Sequence, residues 1–294
     1  MRSLGIDIGG TRTKAALVDD DGRIHAAREM DTCHDLPELT SAVRTLVDEL
    51  ADDASPVGLA SPGLAARDNR SIAWMKGRMA IVAGLVWEDV LARPVAVLND
   101  GHAAAVGEAW LGAAQSARNA LLLTLGTGVG GGVILNGELF QGASGRAGHF
   151  GHLTVDVNGR PDLVGTPGSL EDRIGNHSLA ERTNDAFADT RELIDATRRG
   201  DCTATAAWLE SVRALAAAIA SLLNAFDPEV IVLGGGIADC GAALLEPLGE
   251  MLDRWEWRPF ARRVPILPAT LSSQAGCIGA ARFARRQFPT QDRS

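Results

Sequence analysis

The sequence contains the same arrangement of strands and glycine-rich turns twice, more than a hundred residues apart. Residues 4–30, LGIDIGGTRTKAALVDDDGRIHAAREM, are typical of three strands joined by a Gly9–Gly10 turn and an Asp19–Gly22 turn. Residues 121–141, LLLTLGTGVGGGVILNGELFQ, repeat that plan with a Gly/Thr turn and an Asn–Gly turn. This separation is too long for a short solenoid repeat. We therefore predict two duplicated lobes around a central cleft, each offering one Gly/Thr turn to it.

Between and after the two copies, helical and strand patterns alternate, which predicts an α/β fold. An amphipathic helix is predicted after Asp35 and Pro37, with one apolar face made by Leu39, Val43, Leu46, Val47 and Leu50. Short apolar runs at 56–61 and 94–98 predict buried strands, whereas 63–85 shows weak periodicity and is predicted to be a long loop or flap. The first predicted lobe is residues 1–117, and a closing helix at about 275–288 is predicted to pack back on it. The second predicted lobe is residues 118–274.

Charge and apolar patterning argue against two classes of partner. The net charge of −9 argues against a nucleic-acid surface, which needs clustered basic residues. No uninterrupted apolar run approaches the roughly 18 residues of a membrane span. Four cysteines lie far apart and form no CxxC pair: Cys33, Cys202, Cys240 and Cys277. Such spacing is typical of free thiols in a reducing cytosol, so we expect a cytoplasmic protein without membrane or nucleic-acid partners.

The first Gly/Thr turn, Gly9–Gly10–Thr11, follows a strand that carries Asp7 near its end. Glycine lets backbone N–H groups approach a phosphate because no Cβ intervenes. The Thr11 hydroxyl adds a donor, and Asp7 is placed to hold a Mg²⁺-bound water near the β- and γ-phosphates. The alternative is a plain hairpin that needs glycine for a positive φ. For this turn taken alone, the hairpin is the favoured interpretation.

The second turn, LGTGVGGG, matches GxGxxG at Gly126, Gly128 and Gly131. A dinucleotide-binding fingerprint should open a helix within a βαβ unit, but these glycines lead into the strand-like segment VILNGEL. There is also no GxxxxGK[ST] motif. The interpretation that is left is a second phosphate-binding turn, with Thr127 and Gly128 facing the first turn. Two such turns on duplicated lobes favour a clamp for nucleotide phosphates.

Two further sites lie where a strand meets a helix. Gly234–Gly236 either lets an adenine or ribose lie close to the backbone or forms only a tight turn, with equal support for each. Asn99–Asp100 precedes an alanine-rich helix, and the default interpretation of Asp100 is a helix N-cap. Alternatively, Asp100 accepts the proton of a hydroxyl that attacks a γ-phosphate, while Asn99 binds a neighbouring hydroxyl.

The motifs together resemble those of the ROK proteins (repressors, open reading frames, sugar kinases). DIGGTRTK, LNDGHAAAVGE, LGTGVGGGVILNGEL, GHFGH and VIVLGGGI occur in the family's order over roughly residues 3–284. The resemblance implies an actin-like ATPase (RNase H-like) fold with two lobes. It further implies ATP-dependent phosphorylation of a hexose or amino sugar, and a homodimer.

The predicted site residues follow from the motifs and the resemblance. Asp100 is the expected general base. The predicted sugar-binding residues are Asn99, Asp100, His149, His152, Glu171 and Gly63. The predicted nucleotide-binding residues are Asp7, Gly9, Gly10, Thr11, Arg12, Thr13, Lys14, Gly126, Thr127, Gly128, Gly235 and Gly236. The expected ligands are ATP and Mg²⁺, with Asp7 holding Mg²⁺ through water.

The chain departs from the family pattern in two places. ROK sugar kinases usually have Glu-x-Gly-His where this chain has His149-Phe150-Gly151-His152. The family's zinc run, C-x-C-G-x-x-G-C-x-E, corresponds here to DLVGTPGSLE, residues 162–171, with no cysteine. Because valine cannot ligate zinc and serine is a poor ligand, we predict no family-type zinc. A new metal site using both histidines is the least favoured interpretation, and local hydrogen bonding within the turn stays possible for His149.

These departures leave two alternatives to a hexose kinase. One is a non-catalytic sugar or nucleotide sensor, suggested by the lost glutamate and the lost zinc run. The other is a kinase for a non-hexose substrate, such as a sugar acid, attracted to a charged His149.

Overall fold

The structure, a computed structural model, describes residues 2–289, and the chain divides into two compact units. Of the described residues, the first unit comprises 2–118, 132–148 and 270–289, and the second comprises 119–131 and 149–269. These units are defined by packing alone and do not test the predicted lobes. The lobe boundaries therefore stay a prediction.

The strands are β1 (Arg2–Ile8), β2 (Arg12–Asp19), β3 (Ile24–Asp31), β4 (Val57–Ser61), β5 (Leu64–Ala65), β6 (Ile72–Trp74), β7 (Val95–Asn99), β8 (Ala120–Leu125), β9 (Val129–Leu135), β10 (Glu138–Leu139), β11 (Val230–Gly234) and β12 (Ile266–Pro268). The helices are α1 (Leu36–Leu50), α2 (Trp87–Leu91), α3 (Asp100–Leu111), α4 (Leu170–Ile174), α5 (Leu179–Arg182), α6 (Thr190–Arg198), α7 (Cys202–Phe226), α8 (Ala242–Trp255) and α9 (Ala275–Gln287).

Two five-stranded sheets have equivalent strand orders. The first has the order β3-β2-β1-β4-β7, with β1, β2 and β3 antiparallel and β1, β4 and β7 parallel. The second has the order β10-β9-β8-β11-β12, with β8, β11 and β12 parallel. In each sheet a three-stranded meander is therefore followed by two crossover strands, as the repeated sequence plan predicts.

Local sequence patterns explain the first unit's outer helix. Asp35 caps α1 by accepting a hydrogen bond from the backbone N–H of Glu38, and Pro37 lies in the first turn. The predicted apolar residues of α1 are its buried residues, and they join the main core cluster of this unit. The apolar periodicity therefore predicted this helix and its buried face correctly.

The closing helix α9 packs against β1, β4 and α3 at very short range. A Cβ at Gly5 of β1 would lie 1.8 Å from the Cys277 carbonyl oxygen, and one at Gly58 of β4 would lie 1.9 Å from that of Ala280. Side chains at these positions are excluded by the backbone of α9. The glycines thus set the distance between α9 and the sheet, at the edge where the Asp7 and Asp100 segments emerge.

The predicted loop at 63–85 is partly wrong. It contains the antiparallel pair β5–β6 and a short 3-10 turn at Ala80–Val82. Ile72, Met79 and Val82 are buried in the core of the first unit. Their irregular spacing hid this burial, because neither a helix nor a long strand repeats there.

Among residues 2–289, one helix is long and apolar enough to cross a membrane by length and composition alone. This is α7, and about half of its most apolar stretch is buried. It packs against α4, α6 and α8, with Val212, Leu215 and Ile219 fully buried. Such burial is typical of a core helix, so the composition of α7 is weak evidence for a membrane span.

Candidate functional site

In the first unit, Asp100 is the first residue of α3, and Asn99 is its N-cap. The Asn99 side-chain oxygen accepts a hydrogen bond from the His102 backbone N–H at 3.2 Å. The default interpretation of Asp100 as the cap is therefore wrong, because the neighbouring residue already performs that task. Asp100 Oδ1 accepts hydrogen bonds from Asn99 Nδ2 at 2.9 Å and from the Gly101 N–H at 2.8 Å. These two bonds fix the orientation of the carboxylate.

Gly63 orients Asn99 through its backbone. Its carbonyl oxygen accepts a hydrogen bond from Asn99 Nδ2 at 2.9 Å. Gly63 has φ +107°, and a Cβ there would lie 2.7 Å from the Ile72 side chain. The fold thus requires glycine at position 63. The contact that the structure shows for its carbonyl oxygen is with Asn99, a predicted sugar-binding residue.

Asp7 lies at the end of β1, opposite Lys14 in the sheet register. Burial, together with repulsion from Asp100, raises the pKa of Asp7 to about 7, although Lys14 opposes this shift. A Cβ at Gly276 would lie 2.4 Å from Asp7 Oδ2, so glycine at the start of α9 makes room for this carboxylate. Two carboxylates, Asp7 and Asp100, therefore influence each other at one edge of the first sheet.

The Gly9–Gly10 turn is held by Thr32, a residue that sequence analysis missed. Thr32 Oγ1 lies 2.9 Å from Thr13 Oγ1 and donates to the Gly9 carbonyl oxygen at 2.9 Å. Thr13 is fully buried. The buried Thr13 side chain therefore supports the turn from within, and its assignment to the nucleotide-binding set stays a prediction.

The remaining predicted residues of this segment are more open. Thr11 and Arg12 are exposed, and Arg12 pairs with Asp31 at 3.1 Å. Lys14 donates to the Ser273 carbonyl oxygen at 3.5 Å. The exposed ion pair of Arg12 contributes little stability, so its guanidinium can exchange partners readily.

The glycines of both Gly/Thr turns are not explained by backbone conformation. None of Gly9, Gly10, Gly126 and Gly128 has a positive φ. Strands β1 and β2 do form a hairpin, but the positive φ that the hairpin interpretation assigned to Gly9 and Gly10 is not observed. A Cβ at Gly10 or Gly126 would meet nothing within 4 Å. The chain itself therefore does not require glycine at these two positions, and each leaves bare backbone beside open space.

In the second unit, the segment after α4 holds the Gly126–Thr127 turn. The Asn176 and His177 N–H groups donate to the Gly126 and Thr127 carbonyl oxygens, each at 3.0 Å. His177 Nδ1 also lies 2.8 Å from the Thr127 carbonyl oxygen, and its Nε2 lies 2.8 Å from Asp172 Oδ1. Burial opposes the charged form of His177, but these hydrogen bonds outweigh burial and raise its pKa.

Glu171, on the first turn of α4, lies against both the Gly/Thr turn and the turn that carries the two histidines. Its Oε2 accepts a hydrogen bond from the Val129 N–H at 3.4 Å. A Cβ at Gly128 or Gly151 would lie 2.8 or 3.0 Å from the same oxygen. Two glycines thus make room for the Glu171 carboxylate.

His152 and Glu171 come together with Asp162, a residue outside the predicted site. His152 Nδ1 lies 2.8 Å from Asp162 Oδ2 and 3.7 Å from Glu171 Oε1. Burial opposes ionisation of Asp162, but hydrogen bonds from His152 and from the Thr166 and Val164 N–H groups outweigh it and lower its pKa. Asp162 stands at a cysteine position of the ROK zinc run, which is the only sequence signal that marked it.

These three side chains form a donor set that sequence analysis did not foresee. One ligand atom each from His152, Asp162 and Glu171 lies within 4.8 Å of the others, close enough to hold a metal ion. His149 is not part of this group within residues 2–289. It is half-buried and precedes the 3-10 turn Phe150–His152, so the structure does not bring both histidines into one candidate metal site.

Gly235 and Gly236, at the end of β11, differ from each other. Gly235 has φ +87°, and a Cβ there would lie 2.4 Å from the Leu125 carbonyl oxygen. The fold therefore requires glycine at 235. A Cβ at Gly236 would meet nothing within 4 Å, so only Gly236 offers open backbone.

Comparison with known proteins decides the family. The sequence model of the ROK family matches residues 3–287, nearly the whole chain. The chain belongs to the ROK family. ROK relatives include the glucokinase of Streptomyces coelicolor, 30% identical over 98% of each chain, and the N-acetylmannosamine kinase of Escherichia coli, 34% identical over 97% of this chain and 99% of the relative.

A solved ROK structure has the same fold. The ROK glucokinase of Streptomyces griseus, in complex with glucose and AMPPNP, superposes with a TM-score of 0.80 and 30% identity, covering 97% of this chain and 100% of that one. The actin-like ATPase fold predicted from the motifs is thereby confirmed.

Proposed function

We propose that this ROK protein transfers the γ-phosphate of ATP to a sugar hydroxyl, with Asp100 as the general base. The chain is an ATP-dependent sugar kinase, as its glucokinase and N-acetylmannosamine kinase relatives indicate. The observation that best supports Asp100 as the base is its fixed carboxylate, whose Oδ1 accepts hydrogen bonds from Asn99 Nδ2 and the Gly101 N–H. Phosphoryl transfer depends mainly on positioning and charge neutralisation, with one carboxylate accepting the proton of the attacking hydroxyl.

The two Gly/Thr turns bind the phosphates of ATP in this proposal. Bare backbone at Gly10 and Gly126, without a conformational need for glycine, supports it. N–H groups at such positions can donate to phosphate oxygens. Thr11 and Thr127 add hydroxyl donors, and the open backbone at Gly236 suits the nucleoside.

Mg²⁺ fits beside Asp7. The raised pKa of this carboxyl reflects burial and the nearby Asp100, and a divalent cation would offset both causes. Carboxylate and water oxygens are the ligands that Mg²⁺ prefers, so Asp7 would hold the ion through water. When bound, Mg²⁺ neutralises charge on the phosphates.

The sugar contacts are assigned to Asn99, His152 and Glu171, with His149 adjusting which sugar fits. His149 both donates and accepts hydrogen bonds and can carry charge, unlike the glutamate usual in the family. A hexose or amino sugar is the proposed substrate class, which the activities of the glucokinase and N-acetylmannosamine kinase relatives support.

No family-type zinc is proposed at residues 162–171. Val164 has no ligand atom, and the buried Ser169 hydroxyl accepts a hydrogen bond from the Asp172 N–H as the N-cap of α4. We also propose a cytoplasmic homodimer. Free cysteines support a reducing compartment, and the family resemblance supports the dimer.

The decisive experiment measures ADP release from Mg²⁺-ATP across hexoses, N-acetylhexosamines, polyols and sugar acids. We expect a strong response to at least one hexose or amino sugar. A response only to sugar acids would move the substrate class to a negatively charged sugar. Tight sugar binding without ADP formation would instead identify a non-catalytic sensor.

A further inference from the structure

We propose that Asp162 is a positioning residue that fixes the ring and the tautomer of His152, so that His152 Nε2 accepts a hydrogen bond from a sugar hydroxyl. The proposal rests on the proposed function, in which His152 contacts the sugar. It adds a residue outside the predicted site and a defined tautomer for the neutral histidine ring.

The Asp162 carboxylate is held by three hydrogen bonds. Oδ1 accepts from the Val164 N–H at 2.9 Å and from the Thr166 N–H at 2.8 Å, and Oδ2 pairs with His152 Nδ1 at 2.8 Å. The Asp162 side chain is fully buried. Because its three partners span a closed turn and a neighbouring ring, the carboxylate has one defined orientation.

The turn that carries Asp162 is closed by its own backbone. The Asp162 N–H donates to the Thr166 carbonyl oxygen at 2.9 Å, and the Gly165 N–H donates back to the Asp162 carbonyl oxygen at 3.0 Å. The Gly168 N–H donates to the Arg160 carbonyl oxygen at 2.9 Å, which fastens the base of the same loop. Residues 160–168 therefore hold Asp162 in place without a metal ion.

The chemistry of this pair fixes the tautomer. An ionised carboxylate only accepts hydrogen bonds, so the proton between the two groups lies on His152 Nδ1. Neutral imidazole then has an unprotonated Nε2 with a lone pair. Within residues 2–289, the structure gives His152 no hydrogen bond at Nε2, and about a third of the side chain is exposed. Nε2 is thus available to accept from a ligand hydroxyl.

Glu171 does not orient the His152 ring. Its Oε1 lies 3.7 Å from His152 Nδ1, beyond hydrogen-bond distance, and its Oε2 is directed to the Val129 N–H. Asp162 therefore orients the ring, and Glu171 stays available for a separate contact. A metal ion bound by His152, Asp162 and Glu171 is the competing interpretation, since it would replace the shared proton.

The test compares Asp162→Asn with Asp156→Asn. Asparagine at 162 keeps an oxygen for the Val164 and Thr166 N–H groups but presents an amide donor to His152. We expect the His152 tautomer to switch to Nε2–H, seen as an exchange of its two ring ¹⁵N shifts in NMR spectra. Asp156 lies at the start of the same loop and pairs with Arg173, not His152, so its variant controls for the charge change.

The expected kinetic result is a rise of at least about tenfold in the sugar KM of Asp162→Asn, with a smaller change in kcat and an unchanged KM for ATP. Asp156→Asn should leave the tautomer and the sugar KM unchanged. Equal effects of both variants, or an unprotonated Nδ1 in the unmodified protein, would overturn the proposal.

The metal content of the purified protein is measured as well. Stoichiometric metal in the purified protein that Asp162→Asn loses would identify Asp162 as a ligand and also overturn the proposal. The tautomer is read in the unmodified protein, so a folding defect of the variant does not remove the test. Because the NMR measurement needs no turnover, absent ADP formation with every sugar would refute the proposed function and not the tautomer assignment.

Discussion

His177 links the Asp172 carboxylate to the carbonyl oxygen of Thr127, 50 residues away in sequence, through two hydrogen bonds of 2.8 Å. Both partners are acceptors, so the charged ring, with a proton on each nitrogen, satisfies both of them. The raised pKa of His177 follows from these two bonds. Protonation of His177 is therefore coupled to the hydrogen bonds that hold the second Gly/Thr turn.

Replacing His177 with alanine is expected to weaken ATP binding and change the pH dependence of stability. A raised pKa in the folded state contributes stability that is fully present below the ordinary histidine pKa and is lost as pH rises through the folded value. The melting temperature of the unmodified protein, relative to His177→Ala, should therefore fall as pH rises above about 6.5. Because the ring is partly exposed, we expect its charge to contribute less than about 1 kcal/mol to the free energy of unfolding.

Thermal unfolding of both proteins from about pH 5.5 to about pH 8.5 measures this effect, with the KM for ATP recorded in parallel. Asp172→Asn removes the carboxylate and should reduce the same pH dependence. A melting difference that stays constant across this range would show that His177 does not charge on folding.

Gly126→Ala is expected to fold normally and bind ATP poorly. A Cβ there meets nothing within 4 Å and φ is not positive, so the unfolded chain loses entropy at no cost to the fold. Stability should be unchanged or up to about 1 kcal/mol higher. The added methyl group would obstruct phosphate, raising the KM for ATP about tenfold or more.

Gly235→Ala is the matched control for this prediction. Its φ is +87°, and the Cβ of an alanine there would lie 2.4 Å from the Leu125 carbonyl oxygen, so alanine is strained. Denaturant unfolding should show a loss of more than about 1 kcal/mol. If Gly126→Ala is as destabilising as Gly235→Ala, the glycine at 126 serves the fold and not the nucleotide.

Asp100→Asn should reduce kcat by about 100- to 10,000-fold and change the sugar KM little. Asparagine is isosteric and keeps an oxygen for the Asn99 and Gly101 donors, but it cannot take a proton from the attacking hydroxyl. Steady-state ADP release measures the loss. Asp89→Asn, an exposed acidic residue in the first turn of α2, is the control and should retain full activity. Full activity of Asp100→Asn would remove Asp100 from the role of base.

His149→Glu is expected to shift sugar preference towards glucose. The glutamate only accepts hydrogen bonds and carries a negative charge, so sugar acids should be disfavoured by it. The measurement is the ratio of kcat/KM for glucose to that for a sugar acid. His149→Gln, which removes the titratable ring without adding charge, separates charge from shape. An unchanged ratio in both variants would show that position 149 does not set specificity.

The sequence alone determined helix α1, both meanders and the family, but not the short elements within residues 63–85. Apolar periodicity and the Asp35 cap predicted α1, and the repeated strand–turn plan predicted both meanders, because hydrophobic spacing and turn chemistry act over a few residues. The ordered motifs predicted the ROK family, which the match over residues 3–287 confirms.

Only the tertiary structure decided what each site residue touches. It made Asn99 the cap in place of Asp100 and buried Thr13 beneath its turn. It also brought Asp162 to His152 and His177 to Thr127. These contacts join residues that no local pattern relates, and the pKa of Asp7 depends on burial that exists only after folding. Spacing along the chain reports local geometry, whereas orientation, charge state and room for a ligand arise from packing between distant segments.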